Sequence, residues 1–233
     1  MTANKQQDQP NQLNQVKPDA GMQSVVTDWA ADKEVFNMPW GKLMMWIFLL
    51  SDTFIFSIFL TSYMNVRMTT MASWPNSSEV FALTIAGHHI PLVLIAIMTF
   101  ILITSSGTMA MAVNYAYRGD KSKTFWLMLA TALLGASFVG MQAFEWTKLI
   151  VEEGIRPWGN PMGAPQFGSI FFMITGFHGL HVSCGVIYLT IIANKVRKGD
   201  YDNKGFHIVE ITGLYWHFVD LVWVFIFAFF YLW

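Results

Sequence analysis

The chain has a single cysteine, Cys184, and only 12% of its 233 residues are charged, about half the share in an average soluble domain. One cysteine excludes a disulfide scaffold. Lys and Arg number 14 against 15 Asp and Glu, so no basic excess exists to neutralise phosphates, and a nucleic-acid binder is excluded. The scarcity of charge, set against 54% apolar residues, excludes an ordinary soluble enzyme and a disordered regulator. No segment repeats along the chain, which removes the inverted-repeat architecture of many transporters.

What the sequence has in abundance is apolar runs of about 20 residues, the length that crosses a hydrocarbon core of about 30 Å. Read against polar punctuation, they predict an all-α, polytopic membrane bundle of five transmembrane helices, at about 40–64, 89–115, 124–151, 166–195 and 207–233. Breakers separate them: Pro75 within Ser73 to Ser78, Arg118-Gly119-Asp120, the proline-bearing stretch from Gly154 to Pro165, and Lys198 to Gly205. A large soluble core could also hold such helices, but no amphipathic polar helices are left to surround it.

Residues 1–39 are different. They open on an Asn/Gln-rich tract (Asn4, Gln6, Gln7, Gln9) without an apolar run and contain no arginine, which fits neither a secretory signal nor a mitochondrial presequence. This stretch reads as a largely disordered tail with a short surface helix over about 25–36. Basic residues give the orientation. Only Arg67, Lys148 and Arg156 fall on the side opposite the tail, so the N-terminus is expected in the cytoplasm and Trp233 on the outer, periplasmic side of a bacterial inner membrane. Trp40, Trp74, Trp126, Trp146, Trp158 and Trp233 sit near predicted helix ends, as interfacial belts require.

An ionisable group at bilayer depth costs several kcal/mol unless paired or wetted, so each is a functional candidate. The set is Asp52; Gln142 one turn before Glu145; His178 and His181, three apart; and Glu210, His217 and Asp220. Positions 210, 213 and 217 share a stripe, where Gly213 would admit another helix. Two chemistries compete for these residues. One is a metal site of His178, His181, Glu145, Glu210 and His217 in a stand-alone membrane metalloenzyme. The other is a set of hydrogen-bonded pairs that fixes helix register and binds lipid. Spacing favours the second, since no Glu-x-x-His motif occurs and no carboxylate lies three or four residues from His178 or His181. No catalytic, cofactor or metal residue is therefore expected. His88-His89 are expected to mark the outer end of the second span, because adjacent helical residues point about 100° apart and chelate poorly. The 15 methionines, clustered only at Met109-Ala110-Met111, read as lipid-facing filler rather than copper ligands, and Cys184 as a small buried hydrophobe.

Several of these segments together resemble subunit III of the haem-copper cytochrome c oxidases. Gly168-Ser169-Ile170-Phe171-Phe172 leads into Thr175-Gly176-Phe177-His178-Gly179-Leu180-His181-Val182; Tyr215-Trp216-His217-Phe218-Val219-Asp220-Leu221-Val222-Trp223 follows Glu210; Gln142-Ala143-Phe144-Glu145-Trp146 and Ser51-Asp52 complete the series in the same order. The resemblance covers Trp40 to Trp233 and implies a five-helix form of a family whose longer members have seven spans. It implies a chain that carries no haem or copper, these lying in partner subunits, and that works in aerobic respiration beside subunits I and II, with a small subunit IV and a respiratory supercomplex as further partners. Such a chain stabilises the catalytic subunit, binds phospholipid and supports proton uptake while O2 is reduced by cytochrome c. The equivalent subunit of a quinol oxidase, or a nitric-oxide-reductase-associated protein, is the alternative. Carried over, Asp52 stands for the family's intramembrane glutamate. Gln142, Glu145, His178, His181, Glu210, His217 and Asp220 form the proton-related or structural polar set. Arg118, Lys121, Lys123, Trp216 and Trp223 are expected at lipid or subunit interfaces. Aspartate in place of glutamate at position 52 shortens the reach by one methylene, and His88-His89 has no counterpart.

Overall fold

The computed structural model describes residues 39–71, 74–75, 80–85, 88–161, 163–201 and 205–232, with backbone alone over 82–85 and 88–91. The expected tail with its surface helix lies outside these residues, as does Trp233. Among the described residues, five helices are long and apolar enough to cross a membrane. They are α1 (Trp40–Thr69), α2 (Val93–Tyr117), α3 (Lys121–Val151), α4 (Gln166–Lys198) and α5 (His207–Phe227), the last extended by a π-helical turn at Ala228–Leu232.

Helix is the form these runs must take, because hydrocarbon offers no partner to a backbone amide. The hydroxyls inside them are satisfied the same way. Thr53, Ser57 and Thr61 each donate to the carbonyl four residues back, at 2.7 Å, so they cross the membrane at little cost.

One boundary is corrected. His89 was expected inside the second span, but His88–Pro91 form strand β2, paired antiparallel with β1 (Ala82–Ile85) so that His89 faces Thr84. The segment carries none of the Asn-Gly or Asp-Gly hairpin dipeptides, and its apolar residues read as the start of the second span. Pro91 supplies no amide, and Leu92 takes a left-handed backbone conformation (φ 60°) at the start of α2.

The helices α2, α3, α4 and α5 pack in a ring in which each touches the next and α5 returns to α2. Lipid tails are as apolar as leucine, so this packing depends on close contact and hydrogen bonds rather than on water exclusion. Glycine provides the contact. At Gly135 on α3, a Cβ would stand 2.4 Å from the Trp216 ring and 2.8 Å from Val186; at Gly185 on α4 it would meet the same indole at 3.0 Å; at Gly213 on α5 it would meet Val113 at 3.1 Å. The close approach expected at Gly213 is therefore made, and α2 makes it. In contrast, α1 stands off. Only 17% of its spanning window is buried, against 44% for α5.

The turn between α2 and α3 is built by Gly119-Asp120. Gly119 (φ 77°) and Asp120 return their amides to Ala116 and Tyr115 at 3.0 and 3.1 Å, and the Asp120 carboxylate then accepts from the Lys123 amide at 3.1 Å, capping α3. That amide, with the Lys123 ammonium beside it, holds the Asp120 carboxyl below its ordinary range. A depressed carboxyl stabilises above its unfolded-state value, and the contribution is lost as pH falls through the folded one. Asp120→Ala is thus expected to speed trypsin cleavage at Lys121 and Lys123 in membranes at neutral pH, whereas Asp120→Asn, an equally good cap, leaves it unchanged. Equal cleavage in both variants would show that the cap does not hold this turn.

Candidate functional site

The polar residues at membrane depth do not converge on one point. Glu145, His181, Glu210 and His217 each meet a partner on another element. Glu210, in the first turn of α5, accepts from the Lys42 ammonium of α1 and from the Tyr117 hydroxyl of α2, both at 2.5 Å. A carboxylate suits a helix N-terminus, and here it joins three helices at one end of the bundle. Farther along the α2–α5 seam, Ser106 meets His217 Nδ1 at 2.6 Å, while the buried Oδ1 of Asp220 has no hydrogen-bond partner among the described residues. Trp216 and Trp223, seven residues and hence nearly two turns apart, donate their indole N–H to Ser105 and Thr99, each at 3.0 Å.

A second group lies where α3 approaches the C-terminal π turn. Glu145 is 3% exposed and accepts from Gln142 Nε2 at 3.0 Å, while the Tyr231 hydroxyl lies 3.2 and 3.3 Å from its two oxygens. The wider π turn puts consecutive residues, Phe230 and Tyr231, both into the core.

The third group faces α1. His181 donates from Nδ1 to the Phe177 carbonyl at 2.8 Å and places Nε2 3.5 Å from Asp52 Oδ1. The two side chains thus face each other between α1 and α4. The separation is at the long limit of a hydrogen bond, as the shorter aspartate implies. His178, one turn earlier, is 1% exposed. It stacks on Trp223 with 5.4 Å between centroids and meets the rings of Phe138 and Phe56 edge-on. Neither of its nitrogens has a hydrogen-bond partner among the described residues.

The ligand set of the metalloenzyme reading is thus dispersed over separate partners, and among the described residues no three His, Cys, Asp or Glu side chains are grouped to hold a metal ion. His178 is enclosed by rings, His181 faces Asp52 and His217 meets Ser106. Two expectations are corrected. Trp216 and Trp223 are 1% and 0% exposed; they belong to this chain's own core, because both indoles find hydroxyl partners on α2. Cys184 is exposed rather than buried, since it lies on the flank of α4 away from the indole of Trp216. Arg118, Lys121 and Lys123 are exposed near the α2–α3 turn, with Lys123 4.9 Å from the Tyr115 ring centroid. Sequence reasoning missed Thr99, Ser105, Ser106, Tyr117 and Tyr231, and read Lys42 only for orientation. Hydroxyls in apolar runs give no signal, since most bond their own helix.

Two glycines of the strings quoted above acquire plain physical roles. A Cβ at Gly168 would lie 2.3 Å from the Arg156 carbonyl oxygen, and the Ser169 hydroxyl donates to the Pro157 carbonyl, so this Gly-Ser pair seats the preceding loop on α4. Gly176 takes the Trp146 ring, 3.0 Å from where its Cβ would stand.

This architecture defines a multi-pass helical membrane protein whose intramembrane polar groups knit helix to helix. Residues 33–233 match the family profile described as cytochrome c oxidase subunit III. The chain is 31% identical over 188 residues to a cytochrome c oxidase subunit 3 of Alkalihalophilus pseudofirmus, covering 80% of this chain and 84% of the relative. It is 34% identical over 190 residues to a probable quinol oxidase subunit 3 of Staphylococcus aureus, covering 81% and 86%. The chain belongs to the cytochrome c oxidase subunit III family, and it is a multi-pass protein of the bacterial inner membrane.

Proposed function

We propose that the chain is a non-redox accessory subunit of a haem-copper terminal oxidase, stabilising the catalytic subunit and supporting proton uptake while O2 is reduced by cytochrome c. The observation that supports this most is the dispersal of Asp52, Glu145, His181, Glu210 and His217 into separate contacts between elements, an arrangement that fixes helices, with no group of three metal-ligating side chains among the described residues. Haem and copper then reside in partner subunits. A quinol donor is the second reading, favoured by the probable quinol oxidase subunits among the relatives.

In this reading the distribution of basic residues puts the N-terminus on the cytoplasmic side, with Arg118, Lys121, Lys123, Lys195, Arg197 and Lys198 beside anionic head groups, each worth about 1 kcal/mol near the surface. Between α1 and α5 lies an apolar cavity of about 560 Å³, lined by Phe56, Leu60 and Met64 on one side and Phe218, Val222 and Phe225 on the other. Its lining suits a phospholipid acyl chain, which would fill the gap that α1 leaves by standing off.

The test is purification of the N-terminally tagged chain in mild detergent. Haem, copper and larger subunits should arrive in fixed ratio together with phospholipid, and turnover with reduced cytochrome c against quinol assigns the donor. A chain that purifies alone with iron or zinc bound would overturn the reading.

A further inference from the structure

We propose that Glu145 is a proton-exchanging site, wetted by one buried water that links its carboxyl past Lys148 to the aqueous edge of the bundle. That edge lies at the C-terminal end of α3, opposite the basic α2–α3 turn, so the site is separate from the proton uptake of the accessory-subunit reading.

Glu145 lies within two turns of Val151, where α3 ends, and it is closed off from acyl chains. Val80 and Phe81, directly ahead of β1, are both buried and line the cavity beside it. Phe81 also packs on Tyr231, whose hydroxyl bonds the carboxyl, with 4.4 Å between ring centroids. Under this cover is a cavity of about 10 Å³ that Glu145 and Lys148 line together, the rest of its wall being apolar. Lys148 is half-buried and stands in the last turn of α3, so its side chain leads from the cavity to the surface.

Size and chemistry choose the occupant. That volume is about the room one water needs, and it admits neither an acyl chain nor a head group. A metal ion would share the wall with the positive charge of Lys148. A carboxylate offers about four acceptor positions, and the hydrogen bonds from Tyr231 and Gln142 leave capacity for a third donor. A water that accepts from the Lys148 ammonium and donates to Glu145 supplies it. The same group is short of donors at Gln142, whose Oε1 is buried without a hydrogen-bond partner among the described residues.

The proton has a balanced route. It passes from a Glu145 oxygen to the water, which releases one of its own protons along the Lys148 flank to bulk solvent. The carboxylate left behind keeps its bonds from Tyr231 and Gln142. Among the described residues, Lys148 is the one other charged group on the cavity wall, and Tyr231 is the titratable group that faces Glu145 from the π turn.

The experiment is infrared spectroscopy of the tagged chain, purified with the subunits it carries and transferred from H2O to D2O. The carboxyl C=O band that Glu145→Gln abolishes should shift down within the mixing time. Val80→Ile puts a further methyl into the cavity and should slow that shift by about tenfold, as when an opening about 1.4 kcal/mol uphill must come first. Lys148→Met should slow it likewise, and Lys148→Arg, which keeps the cation, should not. A Glu145 band that never exchanges in the unaltered chain, or that exchanges equally fast in Val80→Ile and Lys148→Met, would overturn the proposal. Should Val80→Ile fail to accumulate, an electron cryo-microscopy map of the unaltered complex decides: density for a water between Glu145 and Lys148 supports the site, and an empty cavity in a map that shows other buried waters overturns it. A chain that purifies without haem or copper would sink the accessory-subunit reading and leave this site standing.

Discussion

Gly135→Val should remove most of the assembled chain from the membrane. A Cβ at that position would lie 2.4 Å from the Trp216 ring and 2.8 Å from Val186, and neither can retreat. Trp216 is pinned by its bond to Ser105 and by Gly185 on its other face, while Val186 is fixed on α4. Overpacking of this kind costs about 1–3 kcal/mol, and pushing the indole off Ser105 strands a buried N–H for about 1–3 kcal/mol more. Together these approach the whole stability of a typical domain. The measurement is the amount of chain in washed membranes and its resistance to protease, with Gly140→Ala as control, since a Cβ there meets nothing within 4 Å and alanine favours helix by about 1 kcal/mol. Normal levels of Gly135→Val would mean that the α3–α4–α5 junction is looser than the glycine geometry states.

Tyr231→Phe should have the next largest effect. It removes the hydroxyl placed between the two oxygens of Glu145, a carboxyl that is 3% exposed and also accepts from Gln142. Loss of such a partner costs about 2 kcal/mol, visible as lower thermal stability of the purified complex. Glu145→Leu should cost a similar amount by stranding Tyr231 and Gln142. The double variant should then fall short of the sum of the two by about 1 kcal/mol or more, as residues in one hydrogen-bonded group do. Strict additivity would show that Tyr231 and Glu145 act independently and that the π turn does not serve to bring them together.

Both effects involve residues that carried little signal in the sequence. The motif strings around His178 and His217 were legible because their order and spacing are unusual, and the helices were legible because about 20 apolar residues in a row admit few other structures. Gly135 and Tyr231 lie outside those strings, and their importance appears only when α3 meets α4 and α5. The β1–β2 hairpin escaped for a related reason: its apolar residues merge with those of α2, and hydropathy alone does not distinguish a strand from the start of a helix.

The sequence by itself determined the all-α membrane class, the five spans, the family resemblance and the choice of acids and histidines worth watching, because composition and period are local properties that the bilayer reads directly. The tertiary structure decided the pairing: Asp52 with His181, Glu145 with Tyr231, Glu210 with Lys42 and Tyr117, Ser106 with His217, and His178 enclosed by rings. Apart from Gln142 with Glu145, these partners belong to different elements far apart in sequence. Which hydroxyl or carboxylate meets which imidazole depends on the rotation and approach of whole helices, which glycines at their crossings set and no spacing along one chain segment encodes.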